Sequence, residues 1–347
     1  MEKGKHPGDQ AYWRRLLNAM IRFVWSHGFL ICLFSCIVLA HLFLEVGKKG
    51  GVLKTDIFAG YGVWFVFFSL GLTLPRKQLI AGLVQWRIHV MIQIWILMVS
   101  PLLAWVLLAL APGEQEPAMR NGLLLLSFLP TTVFSSILFT QRAGGDPVIA
   151  IVNSALSNVL AVFTIPLMCA FMISEPITGG LSVAEAILKL ARTILIPLAL
   201  GMLVRPILRV WVDRFKRAIK WVDYSVLCLI VFTAFSNSVS DGLWTKYDWP
   251  ITLEAFLLTT ALLGIQITLV MWLRKRVPTS HAVRSAIFFS STQKALATGG
   301  PILMTLFGAS ANMGMIIFPL LIYHPIQLMV APVIAHRLHR AAPPDPL

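Results

Sequence analysis

One lysine lies where the sequence offers it neither water nor a counter-ion. Lys294 follows Arg284 by ten residues within the apolar run 282–308, and no Asp or Glu lies at mid-depth in any similar run. A charged side chain at the centre of a bilayer is costly, and by default it indicates a functional site. The ammonium can bind an anionic solute, occupy the place of a bound cation, or lose its proton through desolvation. The structural alternative is an ammonium that hydrogen-bonds backbone carbonyls and locks two helices together.

Two apolar runs are interrupted by polar and helix-breaking residues. The run 119–141 contains Pro130 followed by two threonines, and the run 282–308 contains a polar, Gly/Pro-rich stretch from Ser290 to Pro301. Proline removes a backbone donor, and irregular backbone survives in a bilayer only where it lines a cavity or is buried in protein. Paired broken helices in matching positions of two halves indicate a transport site. The alternative is a pair of kinked, passive helices.

A polar stripe follows in the run 147–173. Asn153, Ser154, Ser157 and Asn158 share one helical face. Their oxygens are suited to a hard cation such as sodium, although small polar residues also form helix–helix contacts. The candidates for solute or ion binding are Thr131, Thr132, Ser135, Ser136, Asn153, Ser154, Ser290, Ser291, Thr292, Gln293, Lys294 and Gln93, with Asn158, Thr298 and His324 as weaker ones.

The elements that must position these residues are membrane helices. The chain has 347 residues, of which 57% are hydrophobic and 13% charged, whereas soluble domains carry about 25% charged residues. The apolar runs match the thickness of a hydrocarbon core. We predict an all-α membrane protein with ten transmembrane helices at 25–45, 55–74, 88–110, 119–141, 147–173, 187–205, 221–240, 251–273, 282–308 and 313–335.

Lysine and arginine are distributed unevenly between the two sides of the predicted membrane. With the amino terminus in the cytoplasm, 21 of the 29 Lys and Arg residues fall in cytoplasmic segments and 7 in external ones. This bias favours ten spans with both termini inside, in a cell inner membrane. The net charge of +14 therefore does not indicate nucleic-acid binding, because the basic residues lie in loops and form no single patch.

The predicted organisation has three parts. Residues 1–24 form a cytoplasmic interfacial segment, with apolar and basic residues on opposite faces. Residues 25–173 and 187–335 then form two five-helix repeats. Because five is odd, the second repeat must enter the membrane from the opposite side, which is the inverted-repeat plan of many secondary transporters.

Several other functions are disfavoured by what the spans contain. They hold no HExxH, no GxSxG and no paired acids, so we predict that the protein is not an enzyme. A retinal-type protein with a Schiff base on Lys294 lacks a membrane carboxylate as counter-ion. Cys32, Cys36, Cys169 and Cys228 form no CxxC pair, so we interpret them as small packing residues and predict no metal or disulfide there.

Five segments together resemble a known family, the bile acid:sodium symporter superfamily, and within it the divergent member-7-like branch of solute carrier family 10. They are FFSLGLTL near 67–74, LPTTVFSSILFTQRAGGDP at 129–147, IVNSALSNVL at 151–160, FFSSTQKALATGGP at 288–301 and PLLIYHPIQLM at 319–329. The resemblance implies a core domain of spans 3–5 and 8–10, with spans 4 and 9 broken and crossing, and a panel domain of spans 1, 2, 6 and 7. Solute is then bound between the two domains.

The resemblance also assigns ion ligands. It implies sodium ligands at Ser135, Ser136 and Ser154, and one at or near Gln93. The family's Glu-x-x-x-Gln pattern falls on Ser290 to Lys294, so the glutamate is absent and a lysine lies near the glutamine position. An ammonium there can replace one sodium electrostatically, which leaves at most one ion site.

These observations predict a symporter-like secondary active transporter that moves a small organic anion by alternating access. Sodium is the candidate coupling ion. No organic cofactor is implied, and the partners are the solute and the lipid bilayer. The alternative from another class is a membrane regulator or sensor that keeps the fold, has lost ion coupling and does not transport.

Overall fold

The computed structural model of the protein describes residues 31–52, 54–173, 180–242, 246–308, 310 and 312–342, and every regular element in these ranges is a helix. The predicted interfacial segment 1–24 and the start of the first span, 25–30, lie outside the described residues. The described part of that span forms α1, Ile31–Leu42, and a single turn at Leu44–Gly47 follows it.

The remaining helices account for nearly all of the described chain. They are α2 (Thr55–Thr73), α3 (Lys77–Leu110), α4 (Pro117–Phe128), α5 (Val133–Arg142), α6 (Pro147–Met172), α7 (Val183–Ser240), α8 (Trp249–Arg274), α9 (His281–Thr292), α10 (Leu296–Phe307) and α11 (Met313–Arg340). Within the described residues, α3, α6, α7, α8 and α11 are long and apolar enough to cross a membrane, and the bent pair α4–α5 makes a sixth candidate span.

Short polar caps mark where several helices begin. The side chain of Glu116 accepts the N–H of Met119 at the start of α4, and Asp146 accepts that of Val148 at the start of α6. Ser280 caps α9 in the same way. Such caps satisfy N–H groups that have no partner inside the helix, so these three starts are fixed by the local sequence.

Helix α7 is 58 residues long and consists of two segments that meet at Phe215, whose φ of −104° and ψ of 15° are not helical. We predicted a loop at 206–220 between two spans, and that prediction was wrong because this stretch is helical. Asp213 lies 3.9 Å from Arg209 and 2.7 Å from Lys216. Ion pairs at these spacings stabilise a helical turn, which explains why a charged connection remains helical.

The two segments of α7 fold back along the same neighbour, α2. The first segment touches α2 where Leu198 lies against Gly71, and the second where Asp223 accepts the Ser69 hydroxyl at 2.7 Å. In a straight helix these two contacts would be roughly 37 Å apart, at about 1.5 Å per residue. The chain therefore reverses at Phe215, and residues 183–214 and 216–240 are two helical segments that both pack on α2.

Two glycines allow α2 and α7 to approach closely. A Cβ at Gly71 would lie 2.2 Å from the Leu198 oxygen, and one at Gly201 would lie 2.2 Å from the Phe68 oxygen. Membrane helices associate through small residues of this kind, because without a hydrophobic driving force packing supplies much of the attraction.

Three cysteines meet between α1 and α7: Cys32 and Cys36, one turn apart on α1, and Cys228 on α7. The Sγ atoms of Cys32 and Cys228 are 3.3 Å apart, and those of Cys32, Cys36 and Cys228 all lie within 4.8 Å of one another. This cluster fixes α1 against the second segment of α7. Nothing in the sequence spacing indicated it, because the third thiol comes from a helix nearly 200 residues away.

Candidate functional site

The first helix break separates α4 from α5 and turns the chain by 56°. At its two ends Leu129 has a ψ of 145° and Thr132 a ψ of 139°, both extended. Leu129 precedes Pro130, whose ring disfavours a helical conformation at the preceding residue, and Pro130 itself has no N–H to donate. The predicted break at this proline is confirmed.

The second break separates α9 from α10 and is shorter than predicted. It comprises Gln293 (ψ 129°), Lys294 and Ala295 (ψ 112°). Gly299, Gly300 and Pro301, which we expected to belong to the interruption, lie inside α10. Pro301 is the sixth residue of that helix, so it removes one hydrogen bond without ending the helix. Since the break itself contains neither Gly nor Pro, tertiary contacts must hold it open.

The two breaks touch each other. The N–H of Ala295 donates to the carbonyl oxygen of Pro130 at 3.0 Å. Beside it, the hydroxyl of Ser135 in the first turn of α5 donates to Oε1 of Gln293 at 3.0 Å. The irregular backbone of each helix therefore finds its partners in the other, as backbone at membrane depth requires.

Lys294 crosses from the second break to the first. Its side chain is 1% exposed, and its Nζ donates to the carbonyl oxygens of Ser127 at 2.6 Å and Leu129 at 3.1 Å. These carbonyls belong to the carboxyl end of α4, where the last C=O groups lack helical partners and the helix dipole is negative. The contacts match the structural alternative for Lys294. The Nζ of Lys294 therefore lies at the negative end of the α4 dipole.

Gln327 of α11 holds the backbone of Lys294 from both sides. Its Oε1 accepts the Lys294 N–H at 2.8 Å, and its Nε2 donates to the Lys294 carbonyl at 2.7 Å. His324, one turn earlier, has Nδ1 at 2.8 Å from Gln327 Nε2 and at 3.3 Å from the Lys294 oxygen. Gln327 and His324 thus hold the non-helical backbone of the second break, which contains neither Pro nor Gly to cause it.

The carboxyl end of α9 is also capped by α11. The Tyr323 hydroxyl donates to the carbonyl of Thr292 at 2.9 Å, and the Thr292 hydroxyl donates to the carbonyl of Phe288 at 2.9 Å. Both carboxyl ends at the breaks are therefore satisfied by side chains, α4 by Lys294 and α9 by Tyr323. In contrast, neither α5 nor α10 has a side-chain cap at its amino end.

Three oxygens meet behind the first break. The hydroxyls of Ser136 and Ser154 lie 3.1 Å apart, and Ser136 donates to the carbonyl of Thr132. The Ser154 hydroxyl lies 2.7 Å from the carbonyl oxygen of Ala150, four residues earlier, and 3.2 Å from that of Thr132. Thr132, Ser136 and Ser154 are all buried. The predicted ligands Ser136 and Ser154 are therefore adjacent, whereas Ser135 points instead to Gln293.

A second polar group joins α3 to α6. Nε2 of Gln93 donates to Oδ1 of Asn153 at 3.1 Å, and Nδ2 of Asn153 lies 2.8 Å from Nδ1 of His89. Gln93 lies two residues before the π-helical turn Trp95–Val99, and such turns often occur at functional sites. The structure thus brings the candidates Gln93 and Asn153 together.

The remaining stripe residues of α6 bind the backbone of the first break. Ser157 Oγ accepts the Thr131 N–H at 3.2 Å. Asn158 Nδ2 lies 3.4 Å from the carbonyl oxygen of Thr131 and 2.7 Å from that of Ser154 on its own helix. The stripe is therefore tied to the irregular backbone of the neighbouring helix.

Several buried polar atoms near the breaks have no hydrogen-bond partner among the described residues. They are Oε1 of Gln93, Oγ1 of Thr131, Oδ1 of Asn158, Oγ of Ser290 and Oγ1 of Thr298. Ser291 is buried on the last turn of α9. An unsatisfied buried polar group costs about 1–3 kcal/mol, and each one calls for an explanation, such as a bound ion, water or ligand.

Sequence reasoning overlooked His89 and gave Gln327 no role. Gln327 lies three residues after His324 and four after Tyr323 in an apolar helix, so the three share one face. Three polar side chains on one face of an apolar helix were the sequence pattern that could have indicated a role for Gln327. The carbonyl acceptors of Lys294 gave no signal, because backbone groups are the same at every position.

Comparison with known proteins decides the family. Residues 27–340 match the model of the SBF-like CPA transporter family. The chain belongs to this family. The predicted resemblance to bile acid:sodium symporters is thereby confirmed.

Curated relatives of similar length support this assignment. The "Putative symporter YfeH" of Escherichia coli is 34% identical over 79% of this chain and 82% of its own. The "Uncharacterized protein PA2026" of Pseudomonas aeruginosa is 33% identical over 90% and 93%. "Sodium/bile acid cotransporter 7" of Mus musculus is 29% identical over 88% and 90%. This SBF-like protein is therefore a multi-pass membrane protein of a transporter family, and the family is not one of enzymes.

Proposed function

We propose that this protein is a secondary active transporter that moves a small organic anion through a bacterial inner membrane by alternating access. The observation that carries the proposal is the contact between two broken helices, at which Lys294 is buried against the carbonyls of α4. Membrane transporters bind solutes at broken helices of this kind, near the middle of the bilayer.

The way in which the four helix ends at the breaks are capped favours a negatively charged solute. Side chains satisfy the carboxyl ends of α4 and α9, but the amino ends of α5 and α10 have no side-chain cap. An amino end offers free N–H groups and a positive dipole, which attract carboxylates and phosphates. A solute that binds where α5 and α10 begin would therefore be held by its negative group.

Lys294 limits how many cations accompany the solute. Its ammonium already occupies the carbonyl end of α4, where a metal ion would otherwise neutralise the dipole. For one sodium ion, the donor chemistry of Thr132, Ser136 and Ser154 fits, since three neutral oxygens converge there and hard cations prefer oxygen ligands. We expect at most one sodium ion per transport cycle.

Helix packing supports a core and a panel. Helices α4, α5, α6, α9 and α11 pack on one another around the breaks, while α2 packs mainly against α7. We assign α3–α6 and α8–α11 to the core and α1, α2 and α7 to the panel. With α7 counted as two spans, this gives ten spans in two inverted repeats, 25–173 and 187–335, with both termini in the cytoplasm.

Uptake into proteoliposomes tests the proposal. A thermal-shift screen of small organic carboxylates and sulfonates first selects a stabilising solute, and its flux is then measured with and without a sodium gradient. We expect flux in the wild-type protein, a loss of at least tenfold in Lys294→Ala, and no change in Lys275→Ala, which removes an exposed lysine. A solute that stabilises the protein but shows no flux would favour the regulator or sensor instead.

A further inference from the structure

The three-cysteine cluster between α1 and α7 has the composition of a metal site. The Sγ atoms of Cys32, Cys36 and Cys228 all lie within 4.8 Å of one another, and that of Cys32 is 3.3 Å from that of Cys228. Three sulfur ligands in a trigonal plane, each about 2.3 Å from one metal ion, are separated from one another by about 4 Å. Small rotations about the side-chain bonds therefore bring all three sulfurs into contact with a single ion.

Helix packing holds the three thiols in position. Cys32 and Cys36 are one turn apart and so share one side of α1. In the helical turn that follows α1, Gly47 packs so closely on the second segment of α7 that a Cβ there would lie 2.1 Å from Oγ of Ser236. The thiols of α1 are thus aligned with Cys228 by contacts that do not involve sulfur.

The cluster has one open side and thiols that remain available as ligands. Cys36 and Cys228 are buried, whereas Cys32 is exposed, and all three are free cysteines. In the proposed topology, Cys32 is the eighth residue of span 25–45 and Cys228 the eighth of span 221–240, and both spans begin at the cytoplasmic face. Thiols on the cytoplasmic side are kept reduced, which favours metal binding over a disulfide.

The ligand set favours a soft ion that needs few ligands. Thiolates select ions such as Cu(I) and Zn(II). Structural zinc sites are almost always four-coordinate, but among the described residues no histidine, aspartate or glutamate joins the three cysteines. Cu(I) accepts three sulfur ligands without a fourth. The positive ion also compensates thiolate charge that would be costly in a buried place.

We propose that Cys32, Cys36 and Cys228 bind one Cu(I) ion, and that the bound ion ties α1 to the second segment of α7. Each coordinating thiol gives up its proton to the solvent as its Cu–S bond forms, and the copper stays in the Cu(I) state throughout. The inference is independent of the proposed transport function, because none of the three cysteines belongs to a helix that carries a break. It goes beyond the packing role that the sequence predicted for these residues.

Competition for Cu(I) tests the site. The full-length protein in nanodiscs, kept anaerobic and reduced with ascorbate, is titrated into the coloured Cu(I)–bicinchoninate complex, and the loss of colour measures the Cu(I) transferred. We expect one Cu(I) ion per chain, with only sulfur neighbours in its X-ray absorption spectrum. Cu(I) should also raise the unfolding midpoint of the wild-type protein, as a ligand that binds only the folded state does.

Two ligand variants and one control locate the ion. Cys32→Ser changes the exposed thiol and should leave the fold intact, while Cys228→Ser removes the ligand of α7. Each should weaken Cu(I) binding by about a hundredfold or more, since loss of even an outer-shell partner costs about 10–100-fold in metal affinity. Each should also abolish the stabilisation by Cu(I).

Cys169 provides the matched control. It is a buried free cysteine on α6 and lies outside the cluster, so Cys169→Ser should bind Cu(I) as the wild-type protein does. The inference is overturned if the wild type takes no Cu(I) from bicinchoninate, if both cluster variants bind it unchanged, or if Cys169→Ser weakens binding equally. A disulfide between Cys32 and Cys228 in protein alkylated within intact cells would likewise overturn it, because the pair would then be a redox couple and not a pair of ligands.

Discussion

Lys294 combines two properties that rarely coexist in an ionisable side chain: it is fully buried, and it has no carboxylate partner among the described residues. The structure resolves the conflict with backbone carbonyls of α4, which have no partner of their own at a helix end. The burial and the isolation of this lysine were predictable from its position in an apolar run. The acceptors were not, because they depend on where α4 ends and on how the two breaks meet.

Gln327 is expected to be essential for the shape of the second break. Gln327→Ala leaves the buried N–H of Lys294 unsatisfied and removes the nearer of the two nitrogens at its carbonyl oxygen; an unsatisfied buried group costs about 1–3 kcal/mol. Thermal unfolding in detergent, followed by tryptophan fluorescence, should show a clearly lower midpoint. Gln327→Glu keeps the acceptor and should be intermediate.

Gln141 of α5 is exposed, and Gln141→Ala serves as the control with an unchanged midpoint. Equal midpoints for Gln327→Ala and Gln141→Ala would mean that the second break keeps its shape without the hydrogen bonds between Gln327 and the Lys294 backbone.

The proposed sodium ion at the oxygen cluster should require the hydroxyl of Ser154. Sodium chloride should raise the unfolding midpoint of the wild-type protein relative to choline chloride, and Ser154→Ala should abolish the difference, because it removes one of three converging oxygens. A ligand at one hundred times its Kd stabilises by about 2.7 kcal/mol. Thr268→Ala removes an exposed hydroxyl that also donates to a carbonyl four residues earlier, and it should keep the sodium effect. If sodium and choline act alike on the wild type, this oxygen cluster holds no sodium ion.

The helices differ in how well the sequence predicted them. Pro130 identified the first break, because proline both constrains the preceding residue and lacks a donor. The second break was placed too broadly, since Gly299, Gly300 and Pro301 are helical and the break at 293–295 is held by Gln327 and Pro130. The connection at 206–220 was misassigned as a loop because its charges suggested water, although they also form helical ion pairs.

The packing of α2 on α7 depends on Gly71. In Gly71→Ala the new Cβ would lie 2.2 Å from the Leu198 oxygen, a backbone atom that cannot move alone, so the helices must separate. We expect a lower unfolding midpoint and a lower yield of folded protein by gel filtration. Gly60→Ala, on the same helix with nothing within 4 Å, should be neutral or slightly stabilising because alanine is the better helix former. If both variants have the same unfolding midpoint, the close approach of α2 and α7 at Gly71 contributes nothing to stability.

At the scale of the whole molecule, helices α4, α5, α6, α9 and α11 pack on one another around the breaks, while α2 packs mainly against α7. The composition and the distribution of Lys and Arg were sufficient to predict a multi-pass membrane protein, and the two interrupted runs together with the family resemblance predicted a transporter. The contact between the breaks was not predictable from local sequence, because it joins residues 130 and 295 and depends on the folding of the entire chain.

If solute binds at the breaks and the core moves against the panel, the start of α5 must face each side of the membrane in turn. Val133 is the first residue of α5 and is partly exposed. In a protein whose four native cysteines are replaced by alanine and which retains solute flux, Val133→Cys provides a single thiol there. Its labelling by a membrane-impermeant maleimide is measured from the cytoplasmic and from the external side. We expect labelling from both sides and slower labelling when the stabilising solute is present. Labelling from one side only, unchanged by solute, would contradict alternating access at this site.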